Sequence, residues 1–155
     1  MATADDVETY RRHSAELIRY ATVLVGPADA ADVVTDAVLA AFTSPAWRDV
    51  ANRRAYLYRA VLHHSSSFHR STSRRRRREQ AVAARAPAYH DPPDESVDAH
   101  RALAALSEQQ RAVTYLTYWE DLPPDRIADL LGVAEGTVRK QLARARDHLR
   151  RILDV

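Results

Sequence analysis

The 155-residue chain contains no cysteine, which excludes disulfides, thiolate nucleophiles and the commoner structural zinc sites together. Its stability has to come from burial. Glycine occurs only at Gly26, Gly132 and Gly136, and β-branched runs with period-two alternation are absent, so the fold reads as all-α. No apolar run approaches the roughly 18 to 20 residues that span a bilayer. Residues 1–20 are charged throughout and lack the apolar stretch of a signal peptide, so the expected compartment is the cytoplasm. Also missing are a nucleophile elbow, a phosphate-binding glycine loop, a paired-carboxylate motif and a metal box. An enzyme is therefore disfavoured, and no catalytic residue, metal site or cofactor is assigned.

What is present is enough apolar material for a packed core, 46 % hydrophobic residues against 28 % charged, and a segregated charge. Residues 1–50 carry four basic and eight acidic groups, and residues 51–80 carry nine and one. Residues 81–110 carry two and five, and residues 111–155 carry eight and seven. Two basic zones separated by an acidic one suit a chain that meets a polyanion at two places and is kept off it between them. Of the 23 basic residues all but Lys140 are arginine, which favours bidentate contact with phosphate and guanine.

Helical spacing organises the chain into two small domains. Val7, Tyr10, Leu17, Ile18, Ala21, Leu24 and Val25 make one amphipathic helix over about residues 3–25, stopped by Gly26-Pro27. Asp29 is placed to cap a second helix, with Val33, Val34, Ala37, Val38, Ala41 and Phe42 on its apolar face and Asp29, Asp32 and Asp36 on the other. Residues 43–52 read as a loop. A third helix opens with Tyr56, Leu57, Tyr58, Val61 and Leu62 and turns basic towards Arg78. Pro87, Pro92 and Pro93 with Asp91, Asp94 and Glu95 mark a linker over residues 81–100, so the domains are residues 1–80 and 101–155. Beyond it, Ser107 and Gln110 have capping-box spacing, and a helix with Val113, Leu116 and Tyr118 or Trp119 follows. Pro123-Pro124 opens the next helix, Gly132 supplies a left-handed turn, and a long final helix starts near Glu135.

On that final helix Val138, Leu142, Ala145 and Leu149 form one stripe, while Lys140, Arg144 and Arg151 lie opposite and Arg139, Arg146 and Arg150 flank it. A basic helix braced by a second helix across a short glycine turn is the geometry that enters a major groove. Thr137, Arg139, Lys140 and Gln141, nearest its leading end, are assigned to base edges and Arg144 and Arg146 to phosphate, with Glu135 favouring the positive helix end and Gly136 letting the backbone approach DNA. The bland alternative is a solvated basic helix in a bundle. His63, His64 and His69 do not place three metal ligands on one face. Arg74 to Arg78 suit salt-dependent phosphate attraction without sequence preference. Trp119 is expected in the core, whereas Trp47 is divided between core and base platform.

The run I-A-D-L-L-G-V-A-E-G-T-V-R-K-Q-L-A-R-A-R, residues 127–146, with A-L-S-E-Q-Q-R upstream, resembles the promoter-reading domain of extracytoplasmic-function sigma factors of bacterial RNA polymerase. D-A-A-D-V-V-T-D-A-V, residues 29–38, is similar to the acidic helix with which such factors grip the polymerase clamp. A-Y-L-Y-R-A-V, residues 55–61, resembles the start of their helix for the -10 element. The resemblance implies a two-part promoter reader without chemistry of its own. Asp29, Asp32 and Asp36 would dock on the clamp of the largest subunit. Trp47 and Tyr56 would stack melted -10 bases, with Arg53, Arg54, Arg59, His63, Arg70 and Arg74 along that strand. The C-terminal domain would sit on the flap of the second-largest subunit and read -35 duplex, and an anti-sigma factor is an eligible further partner. The chain departs from the family at Thr35, His63 and Ala134, where glutamine, asparagine and a Ser/Thr cap are usual. A free-standing regulator with residues 1–80 as a signalling or dimerisation domain is the competing reading, and the second basic zone argues against it.

Overall fold

The computed structural model describes residues 2–82 and 101–153. Every regular element among them is helical. Helix α1 spans Ala4–Val25 and α2 spans Ala30–Thr43. A 3-10 turn at Trp47–Asp49 precedes α3, Arg53–Val82. Residues 101–104 are helical, and α4 (Glu108–Tyr118), α5 (Pro124–Leu131) and α6 (Glu135–Leu153) complete the chain. The linker expected over residues 81–100 falls almost wholly outside the described residues, with α3 reaching two residues into it.

The helix ends follow from local chemistry. Thr3 and Asp6 form a capping box at α1, with Thr3 Oγ1 accepting from the Asp6 amide at 3.1 Å and Asp6 Oδ2 accepting from the Thr3 amide at 2.9 Å. Gly26, at φ +90°, ends that helix. Asp29 precedes α2 but its side chain caps nothing, because its backbone is already helical (φ -111°, ψ -9°) and turns the carboxylate away from the first-turn amides. Asn52 does cap α3, its Oδ1 accepting from the Ala55 amide at 3.0 Å. The capping box at Ser107 and Gln110 forms as spaced. Pro124 occupies the first turn of α5, and Gly132 takes the left-handed conformation (φ 70°, ψ 35°) that closes it.

In the N-terminal unit, α1, α2 and α3 enclose Leu17, Leu24, Val34, Val38, Leu57 and Val61. In the C-terminal unit, α4, α5 and α6 enclose Val113, Leu116, Ile127, Leu131, Val138 and Leu142. The stripe anticipated on α6 is buried at Val138, Leu142 and Ala145 and half-buried at Leu149. The two units share one core. Helix α1 packs on α4, and α3 packs on both α4 and α5. Tyr20 stands at this seam with its ring 4.8 Å from Tyr58 and 6.2 Å from Tyr115, so aromatic packing joins helices from both units.

The seam has a polar fastening as well. Arg111 is buried, yet its Nε, Nη1 and Nη2 all donate to backbone carbonyls, three of them at helix ends. Its Nε donates to Leu103 O at 2.9 Å and its Nη2 to Ala104 O at 3.0 Å and Leu106 O at 3.1 Å. Its Nη1 donates to Leu24 O, at the end of α1, at 2.6 Å. Terminal carbonyls of helices lack intrahelical partners and carry partial negative charge, which a guanidinium matches. Burial lowers the Arg111 pKa, although an arginine stays protonated throughout the working range.

Trp119 departs from expectation, and Trp47 takes the core alternative of the two open to it. Trp119 is 61 % exposed, because the buried run of α4 covers residues 111–116 and the helix ends before its next inward position. Trp47 is buried although it lies between two helices, because its indole N–H finds Asp6 Oδ1 at 2.8 Å. Val7, counted on the apolar face of α1, is 43 % exposed near the start of that helix. The shared core yields a prediction: Leu116→Ala should cost about 2–5 kcal/mol, and both units should lose structure in one urea transition. Circular dichroism and Trp47 fluorescence in a Trp119→Phe background check that coincidence.

Candidate nucleic-acid interface

Helix α6 is amphipathic. Val138, Leu142 and Ala145 face α4 and α5, which leaves Arg139, Lys140, Arg144, Arg146, Arg150 and Arg151 exposed. The leading turn carries exposed Glu135 and Gly136 and a half-buried Thr137. Ala134 contributes no side-chain cap, and its backbone carbonyl accepts from the Thr137 and Val138 amides at 3.0 and 3.2 Å. Glu135 lies in that first turn, where a carboxylate complements the positive helix end.

Three of the expected DNA-facing side chains are held in place by neighbours. Arg139 Nη2 donates to Glu135 Oε1 at 2.7 Å, one turn back. Gln141 Nε2 donates to Gln109 Oε1 at 3.2 Å, which ties the middle of α6 to the start of α4. Arg146 Nε donates to the Tyr118 hydroxyl at 2.7 Å, and its guanidinium lies 5.8 Å from the centre of that ring. Tyr118 is 54 % exposed, so the pair stands at the surface beside the basic face. The pairings of Tyr118 and Gln109 escaped the sequence reading because their partners lie 28 and 32 residues away, beyond any helical spacing.

The second group of expected contacts is distributed along the first 22 residues of α3 and the turn before it. Tyr56, Arg59, His63 and Arg70 recur three, four and seven residues apart and share one face of that helix. His63, Arg70 and Arg74 are exposed, and Tyr56 is half-buried. His63 packs edge-on to His64 at 5.7 Å, and Arg70 Nη2 donates to Ser67 Oγ at 3.1 Å. Trp47 lies between Phe42 and Tyr56 at 5.2 and 5.5 Å under the Arg53 guanidinium, and so presents no open face to a base. Its expected role as a stacking platform is corrected accordingly.

Arg53, Arg54 and Arg59 all have partners within the chain. Arg53 pairs with Asp5 at the start of α1. Arg54 grips Glu16 with Nε at 3.0 Å and Nη2 at 2.9 Å and lies over the Tyr58 ring. Arg59 Nη2 donates to the Asp129 carbonyl of α5 at 2.8 Å, across the seam. The acidic residues expected to dock on polymerase lie elsewhere, along α2, where Asp32 and Asp36 are exposed and Asp29 is half-buried. Thr35 and Leu39 are exposed on the same stretch of that helix.

Glu16 is the electrostatic hub that sequence reading missed. It accepts from Arg54, from the Tyr58 hydroxyl at 2.8 Å and bonds His13 Nδ1 at 2.8 Å. Burial alone raises the Glu16 pKa, but the bonds from Arg54, His13 and Tyr58 outweigh it and hold the carboxyl below its usual value. Asp6 is likewise lowered, first by the Thr3 amide and then by the Trp47 indole. Carboxylates with depressed folded-state pKa values contribute stability that is present above their unfolded pKa and lost as pH falls below it. The urea midpoint should therefore drop as pH falls below about 4. Glu16→Gln should flatten that dependence while lowering the midpoint at pH 7, and an unchanged acid profile in the variant would count against the hub.

The family model described as Sigma-70, region 4 matches residues 96–149, which take in α4, α5 and most of α6. The ECF RNA polymerase sigma factor SigL of Mycobacterium tuberculosis is 34 % identical over 141 residues, covering 86 % of this chain and 80 % of that protein. The RNA polymerase sigma-E factor of Streptomyces avermitilis is 30 % identical over 162 residues, covering 95 % and 84 %. Among solved structures, the sigma factor RpoE in complex with the anti-sigma factor NepR from Bartonella quintana superposes with a TM-score of 0.71 at 23 % identity, over 99 % of both chains. CnrH in complex with the cytosolic domain of CnrY gives 0.66 at 24 % identity, over 96 % of this chain and 87 % of that one. At those identities the two structures establish the fold.

Proposed function

The chain belongs to the extracytoplasmic-function sigma factors, which bind RNA polymerase and direct it to promoters without catalysis of their own, and we propose that it divides promoter reading between its two units. The C-terminal unit, residues 101–155, reads -35 duplex with α6. Thr137, Arg139, Lys140 and Gln141 meet base edges, with Glu135 and Gly136 at the close approach, while Arg144 and Arg146 meet phosphate. The observation that carries this reading is the amphipathic build of α6, with Val138, Leu142 and Ala145 buried and a row of cations facing outward behind a left-handed Gly132 turn.

The N-terminal unit, residues 1–80, takes the melted -10 strand along the Tyr56, Arg59, His63 and Arg70 face, with Arg53, Arg54 and Arg74 supplying cations. Tyr56 serves as the stacking surface, and Trp47 acts beneath it as a buried support. Asp32 and Asp36, with Asp29 at the edge, dock on the clamp of the largest polymerase subunit, and the C-terminal unit rests on the flap of the second-largest. One structural neighbour, RpoE, was solved with the anti-sigma factor NepR, which supports a protein of that class as a partner here. No helix among the described residues is long and apolar enough to cross a membrane.

Added to core RNA polymerase, the purified chain should yield promoter-specific initiation. Reversing both charges, Asp32→Lys with Asp36→Lys, should weaken association with core enzyme at least about tenfold. Binding of the full chain to -35 duplex, read by fluorescence anisotropy, should stay unchanged. Loss of both activities together would reject α2 as the docking face. A chain that binds duplex with high specificity yet never associates with core enzyme would reject the division of labour as a whole.

A further inference from the structure

One flank of α6 carries Arg139, Arg146 and Arg150, spaced seven and four residues apart. Two of these cations meet carboxylates of their own helix. Arg139 Nη2 donates to Glu135 Oε1 at 2.7 Å, and Arg150 Nη1 lies 3.8 Å from Asp147 Oδ1. Each carboxylate orients its arginine and offsets part of the charge at the same time. Arg146 is held differently. Its Nε donates to the Tyr118 hydroxyl at 2.7 Å, and its guanidinium lies 5.8 Å from the centre of that ring. A phenolic oxygen accepts a hydrogen bond without bringing a negative charge, so Arg146 is oriented and keeps its full cationic character.

The place of Tyr118 in the fold suits it to this task. It is the last residue of α4, the helix that packs along α6. Its main chain is still fixed there, because the next amide, of Trp119, donates to Tyr115 O at 2.9 Å. Tyr118 is 54 % exposed, so burial does not account for the position of its ring. A tyrosine side chain has two torsions to fix, fewer than an arginine, so the stiffer partner sets the place of the longer one. The bond takes one of the five guanidinium N–H groups and leaves the Nη edge, whose paired donors match two phosphate oxygens.

Phosphates form the walls of a major groove, so a cation on the flank of a helix in that groove meets backbone, where one at the centre of its face meets bases. Arg146 stands on such a flank. We propose, on the promoter-reading assignment above, that Tyr118 is a positioning residue for -35 recognition. Its hydroxyl and ring hold Arg146 with the Nη edge towards a phosphate of the groove wall and leave intact the charge that attracts this phosphate. Less order then has to be imposed on the arginine when DNA arrives. Because phosphate carries no sequence information, Tyr118 adds affinity without changing which -35 sequence is preferred.

A double-mutant cycle on the full chain tests this, read by fluorescence anisotropy with a labelled -35 duplex selected by core polymerase loaded with the unmodified chain. Arg146→Gln should lower affinity about five- to tenfold and reduce the salt slope, log K against log salt concentration, by about 0.9 in magnitude. Tyr118→Phe should lower affinity about two- to tenfold and leave the salt slope unchanged, since the cation remains. In the Arg146→Gln background, Tyr118→Phe should have no further effect. The cycle is decisive even where Tyr118→Phe shifts the urea midpoint, because a purely structural loss appears in both backgrounds. A loss of equal size in both, or none in either, would overturn the positioning role. If Arg146→Gln changes neither affinity nor salt slope, the assignment of Arg146 to phosphate falls in its own right, and positioning by Tyr118 with it.

Discussion

The arrangement of the molecule turns on Arg111. Its guanidinium is buried where the helix of residues 101–104 and helix α1 both end, and it satisfies carbonyls from each. A buried cation without such partners would cost several kcal/mol, so the site is stable only while both helix ends are present. That requirement links the N-terminal unit to the C-terminal one more specifically than apolar contact does. Tyr20, Tyr58 and Tyr115 then pack into a core that already has its register. With no disulfide available to brace either unit, the seam is part of the stability of both.

Much of this organisation is legible in the residues themselves, and the reasons are local. Helical spacing puts Val138, Leu142 and Ala145 on one side of α6 and the cations on the other. Gly26 and Gly132 end helices because only a residue without a Cβ takes positive φ at little cost. Ser107 and Gln110 cap α4 because the spacing of a capping box is itself a geometric statement. Thr3 and Asp6 carry the same signal at α1 and could have been read the same way. The resemblance of residues 127–146 to a promoter-reading domain holds for the chain as a whole.

Long-range pairing is where local reading stops. Asp6 lies 41 residues from Trp47, Glu16 lies 38 from Arg54, and Arg59 lies 70 from Asp129. No periodicity in the chain connects such positions. The same limit accounts for the two tryptophans. A polar loop contains Trp47 yet buries it on a partner in α1, and an apolar helix leads to Trp119 yet ends before turning it inward. Arginines that composition marks as ready for phosphate prove in several cases to have carboxylate or carbonyl partners within the chain. On the proposed promoter-reading assignment, DNA would replace a contact instead of ordering a free side chain.

A DNA-binding face legible in the residues is thus joined to a seam that is not, and the central claim is the close packing of the two units in the free chain and their separation on the promoter. Spin labels at Ala46→Cys and Ala143→Cys, both exposed sites in a cysteine-free chain, report that relation by double electron–electron resonance. The free protein should give one narrow distribution at a distance below about 40 Å, as a compact body of this size requires. In complex with core polymerase and promoter, the distance should lengthen by tens of ångströms, on the order of the separation between the two DNA elements. A broad, long distribution in the free chain, or a short distance retained on the promoter, would contradict it.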